Sequence, residues 1–221
     1  MVKQNFLVAG LITFVVFTSG MLVQWNLDQA RTENLLESIG DLRLTTNSVL
    51  AEKELISTFK EDECLAYNER ATKIADDVTR LGKTLERYSN RGVFLENEYR
   101  ILKHEYHILE IFYWTRLVQL KETCADKNFI TILYFYRYND ICPECEDQGV
   151  ILTDVKKQYV EKAQIFSLDT NMQYTEPTVR FLVQRYNVTT TPVIVIDKNL
   201  KFEGLTPKET IEFAINSLLK E

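Results

Sequence analysis

The spacing of apolar residues changes character twice along this chain and divides it into three stretches. Phe6 to Val23, FLVAGLITFVVFTSGMLV, is an uncharged run of eighteen residues. As a helix it is just long enough to cross a bilayer core, and Trp25 follows at an interfacial position. From Asp28 to Glu122 apolar residues recur every three or four positions, the period of an amphipathic helix. Leu35, Ile39, Leu42, Val49 and Ile56 form a first seam, interrupted by Thr46 and Lys53. Cys64, Tyr67, Ala71, Ile74, Val78, Leu81, Leu85 and Tyr88 form a second without interruption. Ser89-Asn90-Arg91-Gly92 reads as a turn. A third seam carries Leu95, Tyr99, Leu102, Tyr106, Leu109, Tyr113, Leu117, Leu120 and Cys124. Ile101, Ile108, Ile111 and Phe112 give that helix a second apolar face, so it is expected to be the most buried. Such seams suit an α-helical hairpin or three-helix bundle, or a dimerising coiled coil.

From about Lys127 the apolar runs shorten to strand length and alternate with helical stretches. Phe129 to Tyr136 is rich in Ile, Tyr and Phe and reads as a buried strand. Ala163 to Leu168 and Val193 to Ile196 read as two more, and Asn199 to Glu203 pairs back across a turn at Asp197-Lys198. Between them, a stretch reaching Tyr159 and another from Glu176 to Tyr186 read as helices. Gly204 ends the fourth strand, and Thr206 is expected to cap a last helix to Leu219 with Pro207 at its first position. The predicted order is β-α-β-α-β-β-α. Three parts follow: an N-terminal anchor over 1–27, a helical segment over 28–124 and an α/β domain over 125–221.

Composition adds one exclusion. With 26 basic and 32 acidic residues the net charge is −6, so nucleic acid has no electrostatic claim on this chain. The N-terminal run is either an uncleaved anchor or a cleaved signal peptide. Thr18-Ser19-Gly20 is a poor cleavage site and Met21-Leu22-Val23 prolongs the run beyond it, which favours a single-pass anchor. Lys3 on one flank and Arg31 and Arg43 on the other nearly balance. The short tail before the span favours a cytoplasmic N-terminus, with the remainder extracytoplasmic.

The candidate chemistry is Cys142-Pro143-Glu144-Cys145, placed between a strand and a helix. Two intervening residues let both sulfurs meet on one helical turn. The first cysteine lies at a helix N-terminus, where free N–H groups and the dipole favour a thiolate. Pro143 suits the first turn because its missing N–H would have no partner there. CxxC alone also fits zinc, but the following Thr191-Pro192 and third strand set the context. Strand, CPEC, helix and Thr-Pro in this order resemble the thioredoxin superfamily over about Lys127 to Glu221. The resemblance implies a cis Thr191–Pro192 bond beside the disulfide, with Thr191 and Pro192 receiving an extended substrate segment. It implies that Cys142 attacks and Cys145 resolves. The position six before the first cysteine is Tyr136, where cytosolic thioredoxins carry a buried Asp, so the pattern is closer to extracytoplasmic CPxC oxidoreductases.

Cys64 begins one helix and Cys124 ends its partner. Antiparallel pairing about Gly92 sets them about one turn out of register, which leaves either a structural disulfide or two buried thiols. No metal and no cofactor is expected. His104 and His107 do not complete a Glu-x-x-His pair and read as surface residues. Asn187-Val188-Thr189 has the form of a glycosylation sequon, and Tyr134, Phe135, Tyr136 and Tyr138 read as strand and loop packing. The expected function is a membrane-anchored thiol–disulfide oxidoreductase acting on protein disulfides and dithiols. Asp140, Glu144, Glu146 and Asp147 oppose the thiolate, which favours reduction or isomerisation over strong oxidation and calls for a membrane redox partner. The alternative is a non-catalytic thioredoxin-fold interaction protein whose helical segment binds a partner.

Overall fold

The computed structural model describes residues 6, 9–27, 29, 40, 48, 63–89, 96–124, 128–137, 142–160 and 162–219. The chain divides into two compact units, Met1–Ser48 and Val49–Glu221. In the first, helix α1 (Ala9–Leu27, 19 residues) is long and apolar enough to cross a membrane. Phe14, Phe17, Leu22 and Trp25 are all exposed on it. Its hydroxyls are satisfied internally: Thr13, Thr18 and Ser19 donate to the carbonyls of Ala9, Phe14 and Val16, each at 2.9 Å. A polar group in lipid requires that kind of partner. The seam expected from Leu35 to Ile56 and the turn over 90–92 lie outside the described residues.

In the second unit the alternation along β1 (Ile130–Tyr136) assigns the two cores. Successive side chains of a strand point to opposite faces. Ile130, Ile132 and Tyr134 go to one side, and Leu133 and Phe135 to the other. β2 (Ala163–Asp169) pairs parallel with β1, β3 (Val193–Ile196) antiparallel with β1, and β4 (Leu200–Glu203) antiparallel with β3. The sheet order is β2-β1-β3-β4. Helices α4 (Pro143–Gln158) and α6 (Lys208–Leu218) cover the Ile132 face through Leu152, Val155, Ile211 and Ile215. A 3-10 turn (Thr170–Tyr174) leads into α5 (Pro177–Arg185), which covers part of the Phe135 face with Val179, Leu182 and Val183.

A nine-residue helix cannot cover that face alone. The rest comes from helices α2 (Glu63–Ser89) and α3 (Glu96–Thr123), the predicted hairpin. Ala71, Leu117, Leu120 and Cys124 join one core with Phe135, Phe166, Leu168, Val193 and Val195. Apolar packing therefore runs straight across the composition change at 124/125. Gly82 faces Tyr106, where an added Cβ would lie 3.4 Å from the ring, so the glycine admits the tyrosine against the α2 backbone.

Polar contacts fix the register of α3 on the sheet. β2 is an edge strand, and its Ser167 N–H donates to Glu110 Oε1 at 3.3 Å. Lys103 Nζ lies 2.6 Å from Asp169 Oδ2, Tyr113 meets Phe166 edge-on at 5.3 Å, and Lys121 and Glu122 pair with Asp197 and Lys198. Glu110 is 2% exposed and holds His107 Nδ1 at 3.3 Å. His107, read from sequence as a surface residue, is thus buried, because a carboxylate one turn on gives its ring a polar partner. Burial first, then the Glu110 carboxylate, holds the Tyr106 phenol well above its ordinary range, so it stays protonated.

If α2 and α3 supply one wall of this core, a chain beginning at Ala125 should bind a hydrophobic dye and lack a cooperative thermal transition. A chain beginning at Glu63 should unfold in one sharp step. Equal midpoints for the two, measured by circular dichroism, would overturn this account of the packing.

Candidate functional site

The site forms where β1 ends and α4 begins. Cys142 occupies the N-cap of α4 with φ −134° and ψ 75°, and Pro143 takes the first helical position. The first turn closes through the Cys145 N–H donating to the Cys142 carbonyl at 3.0 Å. This turn brings the two Cα atoms to 5.3 Å, within disulfide range. The sulfurs differ in access: Cys142 is half-buried, whereas Cys145 is buried beneath it at 6% exposure. Glu144 and Glu146 lie in the same first turn. Residues 138–141, including Tyr138 and Asp140, lie outside the described residues.

Across from CPEC stands the loop entering β3. The Thr191–Pro192 bond is cis and Pro192 is buried. The carbonyl and hydroxyl oxygens of Thr191 each lie 3.6 Å from Cys142 Sγ, and the hydroxyl is positioned to donate to the sulfur. From there the hydrogen bonds run around the site. The Gly204 N–H donates to the Pro192 carbonyl at 2.9 Å, and Gly204 has φ +76°, a conformation that favours glycine. The Thr206 hydroxyl donates to the Gly204 carbonyl at 3.3 Å. Gln148, fully buried on α4, grips the Thr206 backbone with both ends of its amide: Oε1 accepts from N–H at 2.7 Å and Nε2 donates to C=O at 3.3 Å. On the sheet side, the Tyr134 hydroxyl donates to the Cys145 carbonyl at 2.5 Å. Burial pushes the Tyr134 phenol up to about 12, so it remains a donor at neutral pH.

Cys142, Cys145, Pro143, Thr191 and Pro192 are therefore brought together. Thr206 departs from expectation: Pro207 is the N-cap residue of α6, and Thr206 is buried with its backbone held by Gln148. Tyr136 stacks on Tyr134 with centroids 5.6 Å apart. Burial, followed by Asp169 and Glu110, holds its phenol well above the ordinary range. Two residues escaped sequence reading. Tyr134 passed for strand packing because alternation shows where its ring goes but not where its hydroxyl ends. Gln148 carried a usable signal, a polar side chain three residues after Cys145 on the buried side of α4.

Cys64 and Cys124 stand apart from this site. Cys124 lies six residues before β1 and Cys142 six after it, so the two pairs flank opposite ends of the strand. Their Cα atoms are 5.8 Å apart, also at disulfide distance. The expected one-turn mismatch is absent because the hairpin pairs about residue 94, midway between them, rather than about Gly92. Gly82 opposite Tyr106 follows the same register. Among the described residues no group of three or more His, Cys, Asp and Glu side chains has a metal-binding arrangement.

No protein-family model matches the chain, and no curated protein does. Solved structures similar to it include chloroplastic thioredoxin z, with 20% identity over 47% of this chain and 89% of that one, at a TM-score of 0.36. The germline-specific thioredoxin Deadhead (Thioredoxin-1) of Drosophila melanogaster shares 18% identity over 49% and 93%, also at 0.36. A structure described as that of a malarial protein shares 19% over 42% and 99%, at 0.35. By its own topology, a mixed four-stranded sheet with helices on both faces, the region from Ile130 to Leu218 has a thioredoxin-like fold.

The pairing at the far end is open to a direct check. Peptide mapping of protein alkylated without reduction should find Cys64 joined to Cys124. Replacing both by serine should cost up to about 4 kcal/mol for a closure of 60 residues, on the chain-entropy model. Recovery of both residues alkylated would show that they are free thiols.

Proposed function

We propose that this chain is a membrane-anchored protein thiol–disulfide oxidoreductase. One observation carries the reading: CPEC holds two cysteines at disulfide distance, one accessible and one buried, at a helix start facing the Thr191–Pro192 loop. Cys142, as thiolate, attacks one sulfur of a substrate disulfide. A Cys142–substrate bond forms, the substrate S–S bond breaks, and the departing thiolate takes a proton. Cys145 then loses its proton and attacks Cys142 Sγ, which closes the CPEC disulfide and releases the second substrate thiol. Two electrons and two protons pass to the substrate, and the reverse sequence oxidises a dithiol. The Thr191 hydroxyl stabilises the Cys142 sulfur while it carries charge, and Thr191 and Pro192 position the incoming strand.

Charge around the site supports a reducing or isomerising role. The helix N-terminus favours the thiolate by about 0.3–1 kcal/mol at exposed positions. Glu144, Glu146 and Asp147 are exposed on the same turns and act against it, weakened by solvent and salt. Strong oxidants need a strongly stabilised thiolate, since that form is the product of their own reduction. Helix α1 supports membrane attachment, and an extracytoplasmic site is part of the same proposal. A reductase there draws electrons from a separate membrane partner.

A Cys145→Ser variant of the full chain in its host should accumulate mixed disulfides through Cys142, visible as adducts on a non-reducing gel and absent from the Cys142→Ser control. A gel without adducts would favour a non-catalytic interaction protein. Sidedness has its own test. A membrane-impermeant maleimide added to intact, mildly reduced cells should label Cys142, whereas labelling only after lysis would place the site in the cytoplasm.

A further inference from the structure

The two cysteines of CPEC are held very differently, and the difference assigns work to two side chains outside the motif. Cys145 sits in a turn fixed at two points. On the sheet side, the Tyr134 hydroxyl reaches its carbonyl at 2.5 Å from a ring that is 5% exposed. One turn on, Gln148 ties α4 to the loop before α6 by two hydrogen bonds to the Thr206 backbone. Both anchors are buried, so neither competes with water for its partner. Cys142, at the helix N-cap, has no side-chain cap bond, and among the described residues its sulfur meets, besides Cys145, the carbonyl and hydroxyl of Thr191 at 3.6 Å.

We propose that Tyr134 and Gln148 are positioning residues for disulfide closure, which hold the backbone of Cys145 in place so that its sulfur stays in reach of Cys142 while the bond is open. Opening the disulfide then moves Cys142 and leaves Cys145 where it was. The consequence is a high effective concentration of the resolving thiol, which shortens the life of a mixed disulfide and favours the closed form. The Cys145 carbonyl also lies within α4, so removing the tyrosine hydroxyl does not orphan it. That makes Tyr134→Phe a mild change with the ring packing retained. This inference extends the proposed function, but its test does not depend on it, because any CxxC pair equilibrates with glutathione whether or not the protein is an enzyme.

The full-length chain, as wild type and as Tyr134→Phe and Gln148→Leu, would be equilibrated in glutathione buffers, quenched and alkylated. The state of the Cys142–Cys145 peptide would be read by mass spectrometry, together with the lifetime of the Cys142–glutathione adduct. Loss of one hydrogen bond sets a ceiling of roughly five-fold on the fall in the closure constant, with a similar lengthening of the adduct's life. The absorbance titration of the Cys142 thiolate should not move, since neither side chain addresses that sulfur. Tyr113→Phe, a hydroxyl removed from the other sheet face, serves as the control for general loosening. An unchanged closure constant in both variants would overturn the proposal. A change matched by Tyr113→Phe would also overturn it, as would one fully accounted for by a shifted Cys142 titration.

Discussion

The site depends on an interaction that contains none of its residues: the packing of α3 against the Phe135 face of the sheet. This sheet is apolar on both faces, and each apolar face has to be buried against another element. Here α4 and α6 cover the Ile132 face, while α5 on the other side has only nine residues. Phe135, Phe166, Leu168, Val193 and Val195 are buried because Leu117, Leu120 and Ala71 complete the layer. Burying one such side chain is favourable by about 1.5–3 kcal/mol, so several of them together approach the net stability of a small domain. β1 and β3 carry both this core and the ends from which CPEC and Thr191–Pro192 project. Their spacing across the site follows from the core beneath them.

The same helix settles the far end of the sheet. Asp197 and Lys198, in the turn between β3 and β4, have φ values of 48° and 68°, unusual for residues with a Cβ. Asp tolerates this region better than Lys. The turn is over-determined by contacts: the Asp197 N–H donates to the Thr131 carbonyl at 2.8 Å, and Lys121 and Glu122 of α3 pair with Asp197 and Lys198. The Lys198–Glu122 pair is largely exposed and contributes little alone. Its partner pair is closer to the core and shares Lys121 with the Phe129 carbonyl at 3.0 Å. The hairpin α2–α3 therefore grips the sheet at Asp169 near the site and at Asp197 away from it.

What the sequence made legible follows from which forces are local. Strand and helix periods, CPEC at a helix start and Thr191-Pro192 before β3 are written in neighbouring residues, and the elements from β1 to α6 lie within a residue or two of their expected limits. The seams of α2 and α3 were equally visible, but a seam shows that a face is apolar and not what will cover it. That is why the helices read as a separate segment, although their core is shared. Polar groups failed for a related reason. Gln148 is buried against Thr206 from 58 residues away, and the Glu110 that partners His107 is itself buried against the Ser167 N–H of β2. The cysteine register failed by about one turn, because pairing about Gly92 sets residue 120, and not Cys124, opposite Cys64.

The distribution of carboxylates separates structure from chemistry. Asp169, Glu110 and Glu176 are buried, and each accepts from named donors: Lys103 and the Asn171 N–H, the Ser167 N–H, and the Thr178 N–H and hydroxyl. A buried charge without such donors would cost several kcal/mol, so these three belong to the fold. Glu144, Glu146 and Asp147 are exposed on the first turns of α4 and bear on Cys142 through solvent. Their influence is weaker than that of a buried charge and is screened beyond about 8 Å at physiological salt. Under the proposed function, the carboxylates that act on the sulfur are thus groups whose replacement leaves the core untouched. If Tyr134 and Gln148 hold the Cys145 backbone as proposed, the geometry that brings the sulfurs together lies with them and the layer beneath, and poise and closure are then set by separate groups.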